Sequence, residues 1–141
     1  MRFVRFGVIP ILMWCILPAT ILAAPLSATP SRVILRSPIH AMGFQCVMAS
    51  AKLRYTQHDV FITLHAMHLP SPHVLHKMVY VVWVVNGAHK ENIGALKVHN
   101  MMAALQAQTM MMKFQDLVVT AESFATIAKP AGRVVLSGMG G

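Results

Sequence analysis

The sequence predicts an all-β domain, an antiparallel β-sandwich of about seven strands, behind an N-terminal export segment. Three observations carry that expectation. Residues 78–85 (Met-Val-Tyr-Val-Val-Trp-Val-Val) are an unbroken apolar run rich in valine, the pattern of a strand buried on both faces. Residues 60–69 alternate, with Val60, Ile62, Leu64 and Ala66 on one side and Phe61, Thr63, His65 and Met67 on the other. Turn signals (Gln57-His58-Asp59, Pro70 and Pro72, Asn86-Gly87, Pro130-Ala131-Gly132) then recur at spacings that suit short strands.

The remaining elements follow in order. Residues 1–6 hold Arg2 and Arg5 and no acid, and residues 7–24 are uncharged and apolar, ending in Ala23-Ala24. This is the layout of a secretory signal, with cleavage expected after Ala23. A retained anchor is the competing reading, since the apolar stretch would be about 27 Å long as a helix, barely the hydrocarbon thickness. Pro10 and Pro18 weaken such a span. Residues 25–39, with Pro25, Pro30, Pro38 and several serines, read as a linker. The domain is expected over 40–138. Within it, 43–54 alternates roughly, and Cys46 is expected as a buried strand thiol. Residues 92–98 form a short strand with a bulge at Gly94. Residues 114–122 and 133–136 form two more, with Glu122 ending its strand toward solvent. Residues 100–113 have helix-favouring composition, yet the surrounding ten-residue rhythm of strands favours a hairpin or strand there. The expected core comprises Ile62, Leu64, Val81, Trp83, Val85, Leu96, Leu117, Val119 and Val135.

Composition bounds the function. The chain has 141 residues, 56% of them hydrophobic and 11% charged, which fits one folded domain and excludes a disordered chain. Lys and Arg number 12 against 4 acids, for a formal net charge of +8. The cations are scattered along the chain without a run, so a nucleic-acid partner is not expected, whereas attraction to an anionic envelope surface is. Two cysteines support neither a disulfide framework nor a thiolate zinc site. Asp59, Glu91, Asp116 and Glu122 are isolated, and no nucleophile elbow or phosphate-binding loop is present, so the sequence argues against an enzyme.

Histidine (8) and methionine (12) are the abundant chemical groups. Thioethers suit Cu(I) and imidazoles suit copper in either state. His65 and Met67 share a strand face, and the loop residue His76 would complete a set of ligands. Copper is thus the one cofactor the residues suggest. Core-filling methionines and solvated histidines are the plainer account.

Taken in order, Leu69-Pro70, Tyr80-Val81-Val82-Trp83, Gly94-Ala95-Leu96, Thr120-Ala121-Glu122 and Pro130-Ala131-Gly132-Arg133-Val134-Val135-Leu136 resemble the extracytoplasmic C-terminal domain of anti-sigma-K-type factors. The resemblance covers roughly 43–138 and implies an immunoglobulin-like sandwich. It does not extend to the sigma-binding helical region, so sigma inhibition is not implied. The expected function is that of an exported, non-catalytic module acting on a protein or cell-envelope component, periplasmic or secreted, with a tether through residues 7–24 if the leader is kept. The alternative is a periplasmic copper-binding protein using His65, Met67 and His76.

Overall fold

The computed structural model describes residues 31–40 and 43–140. The leader (1–24) and the first part of the expected linker lie outside the described residues. Eight strands, β1 (Ser31–Leu35), β2 (Met48–Tyr55), β3 (Val60–Met67), β4 (Val79–Asn86), β5 (His89–His99), β6 (Met102–Thr109), β7 (Asp116–Glu122) and β8 (Val134–Met139), form one antiparallel sheet. Their spatial order is β1-β2-β3-β6-β5-β4-β7-β8. A short 3-10 turn at Pro72–Leu75 is the one helical element among the described residues, and no helix there is long and apolar enough to cross a membrane.

The topology follows from two hairpin sets. β1, β2 and β3 form a meander, and so do β4, β5 and β6. The connection from β3 to β4 sends the second set back so that β6 pairs with β3, and β7 then returns beside β4. The order β7-β4-β5-β6 is a Greek key. β5 joins the two halves: its first part pairs with β4 and its last residues pair with β6. The expected bulge is present there, because the register shifts between Val82 and Trp83, opposite Asn92 and Gly94.

The sheet curls until its ends nearly meet. Arg36 and Ser137 exchange backbone hydrogen bonds of 2.9 Å in each direction. Gly138 stands at this seam, where a Cβ would lie 2.6 Å from the Ile34 carbonyl oxygen and 2.8 Å from Val33 Cγ1. Only a glycine lets the two edges approach so closely.

The alternation read in β3 holds: Val60, Ile62, Leu64 and Ala66 are buried, with His65 and Met67 exposed. The core contains Val33, Leu35, Ala51, Leu53, Ile62, Leu64, Tyr80, Val82, Val84, Leu96, Leu117, Val119 and Leu136. Residues 102–109 are a strand, as the strand rhythm favoured over local helix propensity. β4 is buried on both faces, although Val85 at its end is only half-buried.

Four details depart from the sequence reading. β1 lies inside the segment read as linker: Val33 and Leu35 alternate with outward Arg32 and Ile34, and the apolar pair enters the core. Cys46 is exposed, because β2 begins only at Met48 and Phe44 of the preceding turn occupies the core instead. Glu122 does not face solvent and is 1% exposed. Trp83 is fully buried, but on the opposite side of β4 from the main core, whereas Tyr80 faces the core.

On that second face a polar chain holds the β7–β8 connection down. Trp83 Nε1 donates to Thr120 Oγ1 at 2.8 Å, and Thr120 Oγ1 donates to Glu122 Oε1 at 2.7 Å. Glu122 also accepts the N–H groups of Ala131 and Gly132 at 3.0 Å. Asn92, opposite Trp83, donates from Nδ2 to the carbonyls of Ala125 and Ile127, both at 2.9 Å. Residues 123–133 are thereby fastened as a strap over the indole.

The Tyr80 hydroxyl donates to the Pro70 carbonyl at 2.7 Å, tying β4 to the β3–β4 connection. Burial pushes its pKa from 10.0 up to about 12, because the phenolate would lose its hydration. The unfolded chain ionises near 10 while the folded one holds its proton, so this contribution is complete below about pH 10. It is lost as pH rises toward 12, by roughly 2 kcal/mol. Melting curves from pH 9 to 12 should therefore fall more steeply for the natural protein than for Tyr80→Phe. Parallel curves would contradict this.

Candidate functional site

The candidate site is the outer face of β1, β2, β3 and β6, continued by the last residues of β5. Strand pairing builds it row by row. Met48 lies opposite Met67, Met67 opposite Met102, and Met102 opposite His99. The next row on the same face runs Ile34, Ser50, His65, Ala104 and Lys97. Beyond it come Arg32, Lys52, Thr63 and Gln106, then Arg54, Phe61 and Gln108. Residues i and i+2 of a strand share a face, so the rows stack in one plane.

Met48, Met67 and Met102 are 65%, 45% and 56% exposed and contribute little to any core. Shallow depressions flank the methionine row. One is lined by Arg32, Ile34, Arg36, Met48, His65 and Met67, and the other by His65, Met67, Lys97, His99 and Met102 among others. The row ends at the tight β5–β6 turn, where Asn100 and Met101 have φ of 51° and 61°, as a two-residue type I′ hairpin requires.

The electrostatics of the face are one-sided. Arg32, Arg36, Lys52, Arg54 and Lys97 are exposed on it. Among the described residues one carboxylate borders the face: Asp116 lines a depression with Arg32 and Arg36 at the β1–β8 seam. Asp59 sits in the β2–β3 turn, Glu91 accepts a hydrogen bond from Thr109, Asp116 opens β7, and Glu122 is beneath the strap. Arg32 stands directly opposite Lys52, an unfavourable like-charge cross-strand pair. The Arg54 guanidinium lies 4.7 Å from the centre of the Phe61 ring, which holds it along the surface.

Of the residues singled out from sequence, His65 and Met67 share this outer face, as their spacing required. His76 lines neither depression beside them. It caps the 3-10 turn in the left-handed conformation, φ 57°. The structure brings Met48, Met102 and His99 to Met67 instead, a grouping that needed the strand register to be seen. Among the described residues no three of His, Cys, Asp or Glu come together. The cations scattered in sequence gather here because 32, 36, 52 and 54 fall on alternating outward positions of β1, its continuation and β2. Comparison with family models, curated proteins and solved structures returned no match.

Proposed function

We propose that the protein is an exported, non-catalytic module of immunoglobulin-like sandwich type, similar to the outer domain of anti-sigma-K-type factors, that lies against an anionic lipid surface of the cell envelope. The Greek-key order and the division of β5 between two sets of partners support the sandwich reading. The observation that carries the function is the cation-rich face on which Arg32 and Lys52 oppose each other, with Asp116 the one carboxylate at its edge among the described residues. Anionic headgroups relieve that repulsion, and Ile34, Met48, Met67 and Met102 between the cations supply apolar contact at the interface.

The test compares binding to phosphatidylglycerol and phosphatidylcholine vesicles. The apolar stretch 7–24 contributes to both lipids alike, and Arg2 and Arg5 are present in every variant, so the change on reversing the cations of the face reads the face. Each cation near an anionic surface is worth about 1 kcal/mol, so reversing Arg32, Lys52 and Arg54 to glutamate, which removes three cations and adds three anions, should cut the preference for phosphatidylglycerol by at least about a hundredfold. High salt should do the same to the natural protein. Equal binding to both lipids, or a preference that survives the reversals, would sink the proposal.

A further inference from the structure

We infer that Lys52, Arg54, Thr63 and Gln106 bind a phosphate monoester, either a free small molecule or a lipid headgroup. The four side chains line one depression of about 330 Å³ on the outer face of β2, β3 and β6, with Phe61 in its wall. Strand pairing sets them there. Lys52 lies opposite Thr63 and Thr63 opposite Gln106, while Arg54 lies opposite Phe61 in the next row. Thr63, on the central strand, is half-buried, and Lys52, Arg54 and Gln106 are exposed around it. Directly opposed residues have Cβ atoms about 5 Å apart. A phosphate over Thr63 presents oxygens on several sides, so each donor meets a different oxygen and none has to converge on a single point.

The chemistry of the lining suits an anion. Each of the four polar side chains donates hydrogen bonds, as ammonium, guanidinium, hydroxyl or carboxamide. Among the described residues no carboxylate lines the depression. The Arg54 guanidinium lies 4.7 Å from the centre of the Phe61 ring, so part of its ordering is in place before a ligand arrives. Its planar N–H fork matches two phosphate oxygens at once. Arg32, opposite Lys52 on β1, adds positive potential from outside the lining. A phosphate monoester carries nearly two negative charges at neutral pH and three terminal acceptor oxygens. A diester has one charge and two such oxygens, so it leaves a donor of this set without a partner.

The site shares Lys52 and Arg54 with the lipid-facing surface, but it selects by hydrogen-bond geometry as well as charge, so charge-neutral substitutions separate the two. The test titrates the full chain with glycerol 3-phosphate at constant ionic strength, followed by NMR. Binding should saturate and shift the Arg54 Nε–H signal and the Thr63 and Gln106 amides. Dimethyl phosphate should bind at least about tenfold more weakly. Arg54→Lys keeps the charge but loses the fork, and should weaken glycerol 3-phosphate about tenfold. Thr63→Val keeps shape and strand propensity and should weaken it about fivefold. Lys97→Gln, outside the depression, should change it little, and the amide spectrum of each variant checks the fold. Vesicles identify the source of the phosphate. A preference for phosphatidic acid over phosphatidylglycerol at matched surface charge, lost in Thr63→Val, assigns a headgroup. Equal binding to the two, beside saturable glycerol 3-phosphate binding, assigns a free ligand. Binding that does not saturate, dimethyl phosphate held as tightly, or an undiminished affinity in either Arg54→Lys or Thr63→Val would overturn the site. With the site intact, equal binding to phosphatidylglycerol and phosphatidylcholine would overturn the lipid reading alone.

Discussion

Glu122→Ala is expected to lower stability by about 3 kcal/mol and to release the strap from the indole. The carboxylate accepts from the Thr120 hydroxyl and from two backbone N–H groups of the strap. Alanine leaves all three donors facing a gap, and a backbone N–H without a partner costs most of its desolvation energy. For a domain of this size the melting temperature should drop by roughly 15 °C. In a Trp14→Phe background, Trp83 emission should shift to the red and become open to quenching before the main unfolding transition. Glu122→Gln keeps one carbonyl acceptor and should lose less. A melting point within a few degrees of the natural protein would show that the strap is held by other contacts.

Gly132→Ala should cost a similar amount for a different reason. A Cβ at this position would lie 1.7 Å from the Ala121 carbonyl oxygen and 2.9 Å from its carbon. These are backbone atoms, and the Ala121 N–H is held by the Arg133 carbonyl at 3.0 Å, so β7 cannot yield. The strap must lift instead, breaking its bonds to Glu122, and a loss of about 3 kcal/mol follows. The two substitutions remove the same attachment, so the double variant should lose clearly less than the sum of the single losses. Additive losses would mean that Glu122 and Gly132 act on separate elements.

Much of the strand framework can be read from side-chain patterns alone. The valine-rich run of β4, the alternation of β3, the Asn86-Gly87 turn and the Gly94 bulge all state local geometry in local residues. The preference for a strand at 102–109 came from context, because Ala, Gln, Leu and Met favour helix in isolation. What escaped depends on partners distant in sequence. Glu122 follows Thr120-Ala121 like any polar strand end, and only the return of residues 131–132 buries it. An apolar run cannot show which of its two faces meets the main core: Val81 and Trp83 are buried as expected, but beneath the second face. β1 is short and sits between prolines, and its weak alternation has meaning only once β2 lies beside it. The candidate site was half visible. His65 and Met67 share a face by parity alone, but Met48, Met102 and the cations join them through register, which no single segment encodes.

The seam between β1 and β8 bears on how this domain could be rearranged. Because Arg36 pairs antiparallel with Ser137, the start of β1 runs alongside the end of β8, and the first and last strands stop close together. A short Gly/Ser bridge from residue 140 to residue 31 would need little reach. New ends could then be opened at the two-residue Asn100-Met101 hairpin without cutting a strand. Such a circularly permuted chain would have its termini at the edge of the methionine row. For the same reason the unpermuted domain is suited to insertion into a surface loop of another protein, whose two stems would meet it at one point.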